Sequence, residues 1–235
     1  MWYLCRRSPM LKLIGERGSF LPQRETLRKA FRISLPMGFE HMAICGAQIA
    51  TTVIVAPLGI IAIAANSFAI IAESLCYMPG YGIGDAATTL IGQSVGARRA
   101  DLCRSFAKMT VTTGMIVMAL MGVVMYVFAP EMIGLLSPVD EIRTLGTEVL
   151  RIEAFAEPFF AAAIVSYSVC VGAGDTLRPS IINLGSMWFV RLTLAAAMAP
   201  HFGLRGVWVA MAIELTVRGL LFLWRIARGK WLKMD

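Results

Sequence analysis

MTVTTGMIVMALMGVVMYVFA, residues 109–129, runs for 21 residues without one charged side chain. At ~1.5 Å per residue a helix of that length crosses the ~30 Å hydrocarbon core of a bilayer. Hydrocarbon offers no water to satisfy free backbone groups, so such a stretch must be helical. Five more apolar stretches lie over residues 34–56, 60–78, 145–171, 180–199 and 204–224, separated by short connections. The pattern predicts an all-α integral membrane protein. Its transmembrane part is a six-helix bundle over residues 33–235 that ends in a short basic tail, with a basic lead-in over residues 1–32. Composition agrees: 57% of residues are hydrophobic and 16% charged, against ~25% charged in soluble domains.

The net charge of +7 raises nucleic acid as a partner, but the placement of the charge argues for a membrane. An even number of spans puts both ends on one side. With that side cytoplasmic, Lys and Arg sort by face. The lead-in holds Arg6, Arg7, Lys12, Arg17, Arg24, Arg28, Lys29 and Arg32. The second-to-third connection holds Arg98, Arg99, Arg104 and Lys108, the fourth-to-fifth loop holds Arg178, and the tail holds Arg225, Arg228, Lys230 and Lys233. The opposite side has only Arg143, Arg151 and Arg205. This is the positive-inside bias. It predicts a multi-pass protein of the cytoplasmic (inner) membrane with both termini cytoplasmic, its basic residues facing anionic lipid heads, and no nucleic-acid partner. Residues 1–32 contain no apolar run long enough for a cleavable signal. Cys5, Cys45, Cys76, Cys103 and Cys170 show no CxxC spacing, and His41 and His201 are the only histidines. Neither a disulfide framework nor a zinc site follows.

Along the chain, Leu27 and Phe31 stand four apart among basic residues, which suits a short helix on the membrane surface over residues 24–32. Pro36 opens the first span, where a missing N–H costs least, and Pro57 with Gly59 makes a tight turn. In the second span the helical pattern continues past residue 78, yet Pro79, Gly80, Gly82 and Gly84 interrupt it. Pro removes an internal hydrogen bond and Gly loosens the turn. A kinked or broken helix reaching about residue 91 is expected, serving either as a hinge beside a cavity or as a plain structural kink. Residues 130–144, with Pro130, Pro138, Glu131, Asp140 and Glu141, read as the longest outer loop. Pro200-His201-Phe202-Gly203 reads as the last outer turn.

Ionisable groups inside the spans cost ~2.5–3.5 kcal/mol each on insertion scales, so a retained one usually has a partner or a task. The candidates are Glu40, Glu73, Glu153, Glu157, Arg191, Glu214 and Arg218. Glu214 and Arg218, four apart in the favourable order, are expected to form an ion pair within one helix. Arg191 is expected to neutralise an acid on a neighbouring helix, Glu153 or Glu157. Glu40 and Glu73 have no basic residue within a turn of their own helices. They either exchange a proton or hold a cation, or accept hydrogen bonds from Tyr, Asn or backbone, or pair with Arg191. By helix rise both lie ~10 Å from the cytoplasmic end of their spans. Asn66, Glu73 and Tyr77 share one helix face at spacings of seven and four, a polar stripe in an apolar helix. Asn66 and Tyr77 are therefore supporting ligands.

Two short patterns imitate enzymes. Gly82-Ile83-Gly84-Asp85 and Gly172-Ala173-Gly174-Asp175 both read GxGD, as in intramembrane aspartyl proteases. That chemistry needs two aspartates sharing protons in a membrane-embedded site. Here both fall at cytoplasmic helix ends, and Asp175 fits a cap or loop role. The Gly80-x-Gly82-x-Gly84 series has no preceding strand and no following Lys-Ser/Thr, so it is not a phosphate loop. No enzymatic activity is predicted.

The connection after the second span reads Ala86-Ala87-Thr88-Thr89-Leu90-Ile91-Gly92-Gln93-Ser94-Val95-Gly96-Ala97. It resembles a signature of the multidrug and toxic compound extrusion (MATE) family. Leu35-Pro36-Met37-Gly38-Phe39-Glu40 resembles the opening of that family's seventh helix. Gly172-Ala173-Gly174-Asp175-Thr176 followed by Pro179 resembles its tenth-to-eleventh loop, and Gly206-Val207-Trp208 with Arg228-Gly229-Lys230-Trp231 resembles its last helix and tail. The motifs keep family order. The resemblance covers nearly the whole chain but half of a twelve-span member, its second lobe.

It implies secondary active efflux of amphipathic organic cations against an inward Na+ or H+ gradient, with no cofactor beyond the coupling ion. It implies two lobes rocking about a central cavity, and hence a first six-helix lobe as partner, in cis or in trans. A truncated reading frame, a fragment and a split half are all compatible with it. Glu40 is the acid matched to the family's cation site, whereas Glu73 rests on its own burial and stripe. Two alternatives are carried: a lipid-linked oligosaccharide flippase of related fold, which would need cationic residues in its cavity to hold pyrophosphate, and an inert or partner half that does not itself transport.

Overall fold

A computed structural model describes residues 24–229, 231 and 232 of the chain. The basic lead-in up to residue 23, Cys5, Lys230 and Lys233 lie outside the described residues. The chain divides into two units, Met1–Leu35 and Pro36–Asp235. Of the first, residues 24–35 are helical, with Leu27 and Phe31 exposed. The second carries the site.

Every described element is a helix. In order they are α1 (Arg24–Val55), a 3₁₀ turn (Ala56–Leu58), α2 (Ile60–Gly96), α3 (Ala100–Leu136), α4 (Asp140–Ala154), α5 (Glu157–Gly172), α6 (Leu177–Gly185), a π segment (Ser186–Arg191) and α7 (Leu192–Ala227). Four helical runs are long and apolar enough to span a bilayer, and the α4–α5 pair, bent by 58°, supplies a fifth. The run over residues 177–227 is 51 residues long, more than twice what one crossing needs. Gly203, at φ 60°, ψ −143°, breaks it in two. Close by, a Cβ on Gly206 would sit 2.7 Å from the Met198 carbonyl oxygen, so the two halves pass tightly. This makes the sixth span and places the turn at Pro200–Gly203 where the sequence puts it.

The breaks differ from expectation in two places. α2 stays helical without interruption through Pro79 and the glycines to Gly96, beyond the expected end at residue 91. Gly80 and Gly84 permit close packing: a Cβ on Gly84 would lie 2.7 Å from Ser168 Oγ, and one on Gly80 would collide with Met118 Sδ. Gly82 faces open space. The bend falls instead between α4 and α5, where Pro158 in the first turn of α5 has no N–H to offer the preceding turn. The expected outer loop over residues 130–144 shrinks to residues 137–139, because α3 continues through Pro130 to Leu136 and α4 starts at Asp140. Asp140 and Glu141 in the first turn of α4 complement its dipole.

α2, α3 and α5 pack against one another, α4 packs on α3, and α7 closes the bundle against α5. The buried apolar residues form two clusters. One runs from Ala62 through Met125 and Leu150 to Trp208. The other gathers Ile91, Cys103, Val169 and Trp231. Small residues dominate the seams (Ala65, Ala69, Ala72, Ala161, Ala162), which is how helices approach closely where no hydrophobic effect drives association. Leu120, Val127, Leu135 and many like them are exposed, as a lipid-facing surface requires.

Candidate functional site

The unit around α2 contains a cavity of about 710 Å³, lined among others by Glu40, Glu73, Tyr77, Tyr167, Asn183 and Arg191. Two polar groupings stand around it.

The first centres on Glu40 of α1, which is 3% exposed. Its carboxylate accepts hydrogen bonds from three neutral donors: Tyr167 Oη of α5 at 2.7 Å, Asn183 Nδ2 of α6 at 2.7 Å, and Ser180 Oγ of α6. Among the described residues no Lys, Arg or His comes within ion-pair distance of it. Ser180 also donates to the Thr176 carbonyl at 2.9 Å, which ties the pocket to the turn after α5. Trp188 secures α1 close by, its Nε1 donating to the Ala43 carbonyl at 3.2 Å.

The second grouping is charged. Arg191 and Glu73 line the cavity, Arg191 contacts Met211 Sδ of α7, and among the described residues no carboxylate lies within ion-pair distance of Arg191. Glu153 and Glu157 are each 1% exposed, and all four of their carboxylate oxygens lack a hydrogen-bond donor. Glu214 and Arg218 form the expected i,i+4 ion pair at 3.1 Å. The two atoms are at ion-pair distance but not aligned for a hydrogen bond. Arg218 also lies over the Phe160 ring, 5.8 Å from its centroid.

The structure separates what the sequence placed together. Glu40 and Glu73 both line the cavity, but none of the three donors that hold Glu40 reaches Glu73. Arg191, expected to neutralise Glu153 or Glu157, makes no ion pair with either among the described residues; its guanidinium contacts Met211 Sδ instead. Asn66 lines the cavity, but its Oδ1 accepts from Trp208 Nε1 at 3.0 Å. Tyr77 packs edge-on against Tyr81 and Phe160. The neutral groups that reach Glu40 are thus Tyr167, Ser180 and Asn183, which sequence reasoning missed. Of the two GxGD aspartates, Asp175 pairs with Arg225 and Asp85 sits on the cavity wall. Among the described residues no cluster of three His, Cys, Asp or Glu side chains is spaced to hold a metal ion.

Comparison with known proteins matches the MatE family model over residues 36–197, more than half of the chain. The chain belongs to the MatE family. A "Probable multidrug resistance protein NorM" of Thermotoga maritima is 26% identical over 219 residues, covering 92% of this chain and 47% of that protein. The "Multidrug resistance protein MdtK" of Yersinia pestis is 23% identical, over 99% of this chain and 51% of its own. Among solved structures, the Vibrio cholerae MATE transporter VcmN in its bent form superposes with a TM-score of 0.82 at 17% identity, covering 92% of this chain and 51% of that one. A crystal structure of MATE in the straight conformation gives 0.81 at 20% identity, covering 89% and 48%. This MatE chain spans about half the length of the relatives it matches, and it shares their membrane-helical fold.

Proposed function

We propose that this chain is one six-helix lobe of a cation-coupled multidrug antiporter of the cytoplasmic membrane, with both ends of the described bundle on the cytoplasmic side. It would work with a first six-helix lobe, which supplies the opposite wall of the cavity. An inward Na+ or H+ gradient drives expulsion of amphipathic organic cations, and Glu40 and Glu73 bind the coupling ion.

The observation that carries this reading is Glu40 itself: a buried carboxylate beside a cavity, held by three neutral donors and no fixed cation. Neutral donors hold the carboxylate in place without cancelling its charge, so a proton or a monovalent cation can do so reversibly. The aromatic wall of Tyr77, Tyr81 and Phe160 offers ring faces to an organic cation. The flippase alternative has less support. Arg218 is already engaged by Glu214, which leaves Arg191 as the one cavity-lining arginine without a carboxylate at ion-pair distance among the described residues, a single cation where a pyrophosphate calls for several.

The test is ethidium efflux from vesicles carrying this chain together with a first lobe, driven by an imposed Na+ or H+ gradient. Glu40→Gln and Glu73→Gln should each abolish gradient-driven efflux while the protein still inserts. Wild-type rates in both variants would remove the coupling role.

A further inference from the structure

The π segment Ser186–Arg191 sits between the two polar groupings. Ser180 and Asn183 of α6, just before it, hold Glu40. Arg191, at its end, lines the same cavity and points its guanidinium at Met211 Sδ of α7. A π turn contains one residue more than an α turn, and π turns occur mostly as single insertions, often at functional sites.

That extra residue decides which way the flanks face. Each α-helical residue advances ~100° around the axis. In an unbroken α-helix Asn183 and Arg191, eight residues apart, would point ~80° away from each other. One inserted residue between them brings the two to within ~20°. Both line the cavity, as this alignment requires.

The segment is fastened from both sides. Ser186 Oγ donates to the Asn183 carbonyl at 3.1 Å, and Thr193 Oγ1 donates to the carbonyls of Phe189 and, at 3.2 Å, of Val190. Such hydroxyls supply partners for carbonyls that a π turn leaves poorly bonded. Trp188 pins the middle to α1 at Ala43, one turn beyond Glu40, and a Cβ on Gly46 would lie 3.5 Å from its ring.

We propose that this π turn is a register switch linking the Glu40 pocket to the Arg191–Met211 contact. With the extra residue between Asn183 and Arg191, Asn183 is aimed at Glu40 and Arg191 at Met211 of α7 simultaneously. Passing the insertion toward the N-terminus turns Asn183 off Glu40 and leaves Arg191 in place. Passing it beyond Arg191 keeps Asn183 on Glu40 and turns the guanidinium by ~100° away from Met211. No residue leaves the helix, so the exchange needs only local rebonding. A change at Glu40 is thereby felt at Arg191, two turns along the helix from Asn183. The idea deepens the transport reading and rests on it for its purpose, but its test reads the linkage itself.

Hydrogen–deuterium exchange on the full chain in lipid nanodiscs is the measurement. Asn183 and Ser180 use different oxygens of Glu40, and Glu40→Gln turns one of these two acceptors into an NH2 donor, so amide exchange over residues 186–191 should rise about tenfold over wild type. In a variant lacking Phe189, whose side chain is 76% exposed, the helix can run as plain α with both flanks still aimed inward, and the same Glu40→Gln change should no longer alter exchange there. Phe189→Ala should behave as wild type. If the deletion fails to insert, the reciprocal arm decides: Arg191→Gln must raise exchange at residues 180–183. Unchanged exchange over residues 186–191 in Glu40→Gln, an undiminished response in the deletion, or wild-type protection of residues 180–183 in Arg191→Gln overturns the switch. Loss of efflux with this linkage intact would instead count against the coupling roles of Glu40 and Glu73.

Discussion

Glu40 and Glu153 are both glutamates buried within membrane helices, 3% and 1% exposed, yet their surroundings have little in common. Glu40 borders the cavity and accepts from three neutral side chains on two other helices. Glu153 is not part of the cavity wall, its oxygens meet no donor, and among the described residues no Lys, Arg or His stands at ion-pair distance from it. Burial is therefore a poor guide to function within a bilayer. Access and the presence of donors separate a carboxylate that can exchange its counter-charge from one sealed in the packing.

The comparison breaks first at Glu40. Replacing it with Ala takes the acceptor from the half-buried Tyr167 and Asn183, at about 1–3 kcal/mol each, while Ser180 keeps the Thr176 carbonyl, so Glu40→Ala should lower the thermal unfolding midpoint in detergent more than any other single change at these sites. The bend beside Glu153 is next. A Cβ on Gly122 would meet the Ala154 carbonyl at 2.7 Å and Glu157 Cβ at 3.2 Å. Gly122→Ala should therefore cost about 1–3 kcal/mol, read in the same melt, and an unchanged midpoint would mean that the α4–α5 bend yields freely. Glu153→Gln has the opposite sign. It replaces a buried carboxyl whose two oxygens meet no donor with an uncharged amide, and should stabilise by about 1 kcal/mol; a clear loss would show that Glu153 has a charged partner in the folded protein. Ser180→Ala is the mildest, about 1 kcal/mol or less, because Tyr167 and Asn183 still serve Glu40, and Glu40→Gln should make this substitution nearly silent in a double-mutant cycle.

The spans were legible because length and apolarity alone decide them: 109–129 or 204–224 can do nothing else in oil. Glu214 with Arg218 was legible because i,i+4 spacing is a local signal. The bends were not. Pro79 and Pro158 look alike in sequence, but α2 absorbs its proline inside a packed seam while Pro158 falls where α5 begins. The turn at Gly203 could be read because Pro, His, Phe and Gly interrupt two apolar runs. The Glu40 pocket was half visible. The acid stood out as a charge in an apolar span. Its donors lie 127, 140 and 143 residues further along, where Tyr167, Ser180 and Asn183 are unremarkable polar residues with no spacing that marks them. The π turn left no trace in composition, since one inserted residue in an apolar helix changes no pattern that periodicity can detect.

The contrast between a reachable and a sealed carboxylate can be read by covalent labelling. Dicyclohexylcarbodiimide, an apolar carboxyl reagent, applied to the chain in nanodiscs and mapped by mass spectrometry, should modify Glu40 and Glu73 and leave Glu153 and Glu157 untouched, with excess Na+ or ethidium protecting the first two. Modification of Glu153 or Glu157 with Glu40 left intact would contradict the account.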